Sequence, residues 1–388
     1  MNGNELRNPT RGPPRRGPRT GVVSVGALTF LAIPAACSGP DAPSTTDAEA
    51  DAAGAEVRDG DLPVAPAGAR LYPDVAVVAD AAWHDGVWFV LDGRADQVHR
   101  IGPDGAWLGS FADRGEGPGE LRGNARPIVV PGDTVVVLDD WGLHLYGLDG
   151  TPLADRRVLD DQCGVPAVVD MAPGSPGLLF VARCYERYGV ETRWRVVLND
   201  HTGTARTLVT DTADVTEVRF DRGFARIAAH PRGFVFGHTG EDCLGLFDFE
   251  GGLLDRICHE WMDRVPVPKA FADEYMESSN RNVGIRVHRP EHFPPILAFR
   301  AAGDEELVYL SPVDPEGWAG VLLLARSRDG GQLVLPIPRA AAIFVSGTTA
   351  LAAWYELEGT RIQLYDLDFQ ALAAQPVFPI AGRDRRDP

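Results

Sequence analysis

The feature that most constrains this chain is a unit that returns about every 45 residues, a spacing used by propeller blades. An apolar run ends in a small or acidic residue. A polar gap follows, then an alternating run, then an Asp-Gly or similar turn and a further strand. The first copy reads Val87-Trp88-Phe89-Val90-Leu91-Asp92, then Val98-His99-Arg100-Ile101, the turn Asp104-Gly105 and Trp107-Leu108. The second reads Val135-Val136-Val137-Leu138-Asp139, then Leu143-His144-Leu145-Tyr146 and Asp149-Gly150. Later copies centre on Leu178 to Ala182, Phe234-Val235-Phe236, Leu307 to Leu310 and Ala350 to Tyr355, with their own turns at Asp200 to Gly203, Glu250-Gly251, Asp329-Gly330 and Asp366 to Asp368. Period-two alternation with apolar groups on both faces gives a sheet that cannot stand alone. Closing several such sheets into a ring buries both faces and protects the edges. The sequence therefore predicts an all-β fold, a six-bladed β-propeller of four-stranded antiparallel blades over residues 71–380. The 43 glycines and 31 prolines agree with a chain of many turns.

Gly115-Glu116-Gly117-Pro118-Gly119-Glu120-Leu121 falls between the first and second copies. A phosphate-cradling loop would need a helix N-terminus behind it, and for a nucleotide hydrolase a Gly-Lys-Ser/Thr ending. Leu121-Arg122-Gly123-Asn124 leads into another strand instead, so the stretch reads as the joint between two blades, with glycines allowing positive φ.

This joint, with Pro127-Ile128-Val129-Val130, Val137-Leu138-Asp139, Leu143-His144-Leu145-Tyr146 and Asp149-Gly150, resembles an NHL repeat. It is similar to the bacterial exported six-bladed propeller proteins, often lipoproteins, in which a Gly-Glu-Gly-Pro-Gly-Glu-Phe type segment joins the first blades. Here Leu121 replaces the aromatic residue, and Arg361-Ile362-Gln363-Leu364-Tyr365-Asp366 is a similar strand in the last blade. The resemblance implies fold and export and carries no activity to named residues.

The N-terminal segment reads independently as an export signal. Arg7, Arg11, Arg15, Arg16 and Arg19 form a basic region, Gly21 to Ile33 is nearly free of polar groups, and Pro34-Ala35-Ala36-Cys37 follows. A cysteine after Ala-Ala resembles a lipobox, with Pro34 where leucine is usual. Residues 1–37 are thus expected to be a signal peptide, with Cys37 as the lipidation site of a periplasmic or outer-membrane lipoprotein. Residues 38–70 hold too few large apolar groups to order themselves and read as an acidic tether, and residues 381–388 read as a disordered tail. The net charge of -18 argues against a nucleic-acid partner. Four further cysteines in an oxidising compartment suggest two disulfides. Cys243 and Cys258 lie symmetrically about Glu250-Gly251, and Cys163 and Cys184 about Pro173-Gly174, so each pair is expected to face across a hairpin.

The catalytic signals are weak. His288-Arg289-Pro290-Glu291-His292 matches an inverted zinc-peptidase pattern, but Pro290 forbids the helix that would bring both histidines to one metal, so no shared metal is expected. Asp80, Asp139 and Glu356 could line a central channel and hold a divalent ion, although acidic residues at such positions usually make turns. The largest break in the repeat is the segment 262–295. Its Pro268 to Glu277 stretch has helical spacing, and Trp261, Phe271, Tyr275, Arg281, Arg286 and Phe293 in or beside it are the residue types favoured in binding hot spots. The expected function is a monomeric binding or scaffolding module for a protein, peptide or glycan, without a cofactor. The alternative is a metal-dependent hydrolase or lyase, lactonase-like, with its site in the channel.

Overall fold

A computed structural model describes residues 69–366 apart from positions 141, 157–166, 176, 186–191, 201–203, 212–216, 219–222, 259–263, 265, 280–285, 297, 303–305, 315–316, 327–331, 337–341 and 347–348. Cys37, Cys163, Trp261 and Arg281, and with them the signal, most of the tether and the tail, lie outside the described residues.

The described strands form six four-stranded antiparallel sheets. Blade 1 runs Val78–His84, Val87–Asp92, Gln97–Ile101 and Trp107–Phe111 from the inside out. The other inner strands are Ile128–Val129, Ala167–Pro173, Ala225–His230, Ala298–Ala302 and Ala342–Ser346, and each touches the next around a closed ring. Closure is made by Arg70–Tyr72, which pairs with Gly359–Asp366 and supplies the outermost strand of blade 6. Arg70 thus belongs to the propeller, one residue earlier than the sequence indicates. Three residues with no partner nearby in sequence carry no periodicity that could announce a strand.

The two-faced alternation explains the packing. In Val87–Asp92, Trp88 and Val90 join a cluster with Leu351, Ala353 and Ile362 of blade 6, while Phe89 and Leu91 join one with Ile128, Val135 and Tyr146 of blade 2. Similar clusters fill the interfaces of blades 2 and 3 and of blades 3 and 4. Each fully buried Phe or Leu contributes roughly 1.5–3 kcal/mol, and removing either face of a strand would leave one blade without its neighbour.

Gly115 to Leu121 is the joint between blades 1 and 2. Leu121 donates its amide to Asp113 O and accepts from Gly115 N, and Gly117 N donates to the Glu120 carboxylate at 2.6 Å. Gly119 has φ +73 and lies against Pro152 and Tyr146, where a Cβ would come within 2.4 Å of the proline ring. Cys243 and Cys258 are directly paired in register and form a disulfide. Cys184 sits in Gly177–Tyr185 opposite Arg193, and its expected pairing with Cys163 lies outside the described residues.

Candidate functional site

Blades 1 and 4 are opposite one another in a six-membered ring, so their charged groups can meet only on the axis. Asp80 of blade 1, Asp170 of blade 3, Arg226 of blade 4 and Arg300 of blade 5 influence one another electrostatically, with Arg126 contributing from the start of blade 2. All but Arg126 come from inner strands: Arg226 is the second residue of Ala225–His230, and Arg300 the third of Ala298–Ala302.

The two aspartates are structural staples as well as charges. Asp80 accepts from Ala81 N at 2.9 Å and reaches across to Ile128 N of blade 2 at 3.0 Å. Asp170 does the same with Met171 N at 3.1 Å and Ile227 N of blade 4 at 3.0 Å. Both follow a register shift in their strand, which turns the carboxylate toward the next blade. Arg300 completes the Asp170 site, with its guanidinium 3.4 Å from Oδ2 and donating also to Phe299 O at 3.0 Å.

Arg226 differs. Its guanidinium carbon stands 5.7 Å from the centre of the Phe224 ring, its Nε is buried without a partner, and among the described residues no carboxylate or carbonyl accepts from it. Arg226 and Arg300 are each half-buried, and burial works against the charge of both. Burial lowers the Arg226 pKa and Arg300 and Arg126 lower it further, against the pull of Asp170 and Asp80. For Arg300 burial also opposes the charge, but Asp170 and Asp80 outweigh it and the net shift is upward. Burial raises the Asp80 carboxyl, with Arg300 opposing. The inner strands thus carry Arg226 and Arg300 against Asp80 and Asp170, of which burial disfavours Asp80 as an anion, and Arg126 adds a positive charge from an exposed position.

Of the acidic residues proposed for the channel, only Asp80 is there. Asp139 accepts from Gly142 N at 3.0 Å and Arg122 N at 2.8 Å and stands 2.9 Å from His144 Nε2, so it organises a turn within blade 2. Glu356 is exposed at a hairpin end and pairs with Arg361 at 2.6 Å. Blade 1 holds a constellation that resembles a hydrolase triad, with His99 Nδ1 2.9 Å from Ser110 Oγ and Nε2 3.9 Å from Asp92. Blade 2 repeats it as Asp139, His144 and Asp155, with a carboxylate in the place of the hydroxyl. A repeated arrangement that tolerates loss of the nucleophile is a brace across the strands. For Asp92, burial would raise the pKa, but His99 and the amides of Ala76, Ala95 and Arg94 bring it down to about 2.

The segment between blades 4 and 5 contains the helix Lys269–Ser279. It is anchored rather than free. Pro266 bridges to His292, Arg264 bonds Gly240 O and Asp242, and Ile296 N donates to Thr239 O. Arg286–Val287 pairs in parallel with Glu217–Val218 from the link between blades 3 and 4. Two members of the expected contact surface have another role: Tyr275 is 8% exposed and Phe293 4%, with Phe271 and Phe293 ring centres 5.4 Å apart. Phe293 packs on Phe271 of the helix, and a short helix needs such a buried face to be stable. The helical spacing does not show that face turned inward. The segment leaves an outer strand and returns to an inner one, so it lies at the same end of the propeller as the starts of the inner strands that carry Arg226 and Arg300.

The channel residues do not suit a divalent ion. Both carboxylates are occupied by backbone amides, Arg300 stands 3.4 Å from Asp170, and no cluster of three or more His, Cys, Asp or Glu side chains able to hold a metal occurs among the described residues. His288 and His292 do not form such a cluster either.

No protein-family model matches the chain, and no curated protein matches its sequence. Among solved structures, a presumed exported protein of Bacteroides fragilis is 12% identical, with a TM-score of 0.50 over 78% of this chain and 94% of that one. A gluconolactonase of Xanthomonas campestris is 14% identical, with a TM-score of 0.47 over 77% and 90%. A calcium-binding regucalcin of Agrobacterium tumefaciens is 11% identical, with a TM-score of 0.44 over 77% and 94%. At 12% identity the likeness to the Bacteroides protein speaks to the fold alone, and the sheets of this chain give that fold as a β-propeller.

Proposed function

We propose that this protein is an exported binding propeller that receives an anionic group of its ligand in the axial channel. The observation that carries the reading is Arg226, a half-buried guanidinium whose Nε is shut off from water and which has no hydrogen-bonding or ion-pairing partner among the described residues. A buried charge without a partner is costly and is retained where a ligand completes it. The partner is a protein, peptide or glycan of the cell envelope, and the anchor is a lipid on Cys37, ahead of the acidic tether. The metal-dependent hydrolase reading has no support in the channel's residues. Thermal shift in acetate, sulfate, phosphate and calcium chloride, each at matched ionic strength, tests the proposal. An anion should raise the melting temperature of the native protein and not of Arg226→Met, and calcium should have no specific effect. Stabilisation by calcium that a chelator reverses would point to the hydrolase instead.

A further inference from the structure

We infer that one end of the ring, the end at which the chain enters it, rests on the surface of a lipid bilayer. This goes beyond the ligand reading and draws on different residues.

The large apolar side chains left exposed among the described residues are Trp107, Leu108, Leu153, Leu253, Leu254 and Leu357. The first five, between 41% and 58% exposed, share one place in the repeat. Trp107–Phe111, Pro152–Arg156 and Leu253–Cys258 are the outermost strands of blades 1, 2 and 4, and these residues are the first or second of each. Each such strand follows the turn that leaves the third strand of its blade. In an antiparallel blade all those turns lie at the end where the inner strand finishes. The five side chains therefore stand round the rim of one end. Their turns are fixed, because each is lodged on the outermost strand of the preceding blade. A Cβ on Gly105 would come within 3.2 Å of the Tyr72 hydroxyl, on Gly150 within 2.7 Å of Phe111, and on Gly251 within 2.3 Å of Leu208 O.

Single exposed leucines are ordinary on a protein surface, but five at equivalent positions make a shared face. Blades 1 and 4 are on opposite sides of the ring. A compact partner protein covers one sector of such a rim, whereas a flat surface meets opposite sides of it at once. The point where the chain enters names that surface. Arg70 Nη1 donates to Gly105 O at 3.1 Å and Tyr72 OH donates to it at 2.7 Å, and the Tyr72 and Trp107 ring centres are 6.1 Å apart. The chain that carries Cys37 thus joins the ring beside Trp107. A half-exposed indole, apolar with one N–H donor, suits a membrane–water interface. Asp104, Asp149 and Glu250 at the exposed turns disfavour anionic lipid, so the surface is a zwitterionic one. Leu357 lies at the opposite end, between Glu356 and Glu358, and that end, with Arg226 and the segment 262–295, stays open to the envelope.

Vesicles of phosphatidylethanolamine and phosphatidylcholine with brominated acyl chains test this on the full chain. Bromine quenches a nearby indole, and the difference between the native protein and Trp107→Phe isolates Trp107. Its emission should be lost on vesicles. In the Cys37→Ser background, Leu108→Thr/Leu153→Thr/Leu253→Thr should weaken vesicle binding at least about tenfold, and Leu357→Thr should leave it unchanged. All forms carry the same N-terminal segment, so the difference reports the ring. Circular dichroism and a cooperative melt verify that they are folded. Partition to vesicles with Trp107 emission undiminished overturns the inference and leaves the lipid anchor standing. Partition lost in Cys37→Ser, with Trp107 still quenched at high lipid, supports both. A dimer that forms without vesicles and that the leucine substitutions dissociate would assign the rim to a second copy of the chain and overturn the inference as well.

Discussion

Replacing Arg226 by methionine should make the ligand-free protein more stable, and this sign separates a binding arginine from a structural one. A charge taken out of water costs several kcal/mol even after relaxation. At this site the offsets are limited to Asp170 and Asp80 at longer range and to the face of Phe224, the latter worth about 0.5–2 kcal/mol. Methionine fills the volume of the arginine stem and adds no polar atom. The balance favours the variant by about 1–2 kcal/mol. For a domain of this size that corresponds to a rise of roughly 2–3 °C in melting temperature. Urea denaturation in a buffer free of carboxylates and phosphate measures it. Arg300→Met should go the other way, because it strips Asp170 of its ion pair; with that arginine side chain 30% exposed, the loss is discounted to about 1–2 kcal/mol. If Arg226→Met is the destabilised variant, by more than about 1 kcal/mol, the guanidinium is a structural element and the argument for an unfilled seat fails.

Phe293→Ala should destabilise the protein by about 3 kcal/mol, since the ring is buried against Phe271, and unchanged stability would return the segment to the role of a free contact surface. Burial alone would lower the pKa of His144, but the carboxylates of Asp139 and Asp155 raise it overall. Its stabilising contribution is therefore full below the unfolded-state pKa and is lost as pH rises through the folded one, so the melting temperature should fall from pH 6 to 8.5 more in the native protein than in His144→Gln. The Cys243→Ser/Cys258→Ser double variant should lose about 3 kcal/mol under oxidising conditions, from a loop of separation 15, and equal stability would show that the bond does not form. Cys37→Ser should move the protein from the membrane to the soluble fraction of the envelope, and an unchanged distribution would rule out a lipid anchor.

The ring was legible because its physics repeats: the same two-sided alternation and the same Asp-Gly turns return at fixed spacing, and one-residue errors in a strand do not disturb the pattern. The disulfide across Glu250-Gly251 was legible for a similar reason, since symmetry about a hairpin tip fixes register. The channel was not. Its signal is present in Ala79-Asp80-Ala81, Val169-Asp170-Met171, Ala225-Arg226-Ile227 and Phe299-Arg300-Ala301, each a lone charge inside an apolar inner strand. Taken singly, each is one polar position in an alternating strand. Only closure of the ring brings residues 80 and 226 together, and no local rule spans that distance. The aromatic and arginine residues that stand out in sequence lie instead in the one segment that breaks the repeat, where Tyr275 and Phe293 are buried.

Bromide diffraction from crystals of the native protein tests the central claim most directly, because bromide is a monoanion that reports its own position by anomalous scattering. The account predicts a strong anomalous peak on the propeller axis within hydrogen-bonding reach of the Arg226 guanidinium, and its absence from crystals of Arg226→Met. A channel without bromide in the native protein, while ions bind elsewhere on the surface, would contradict it.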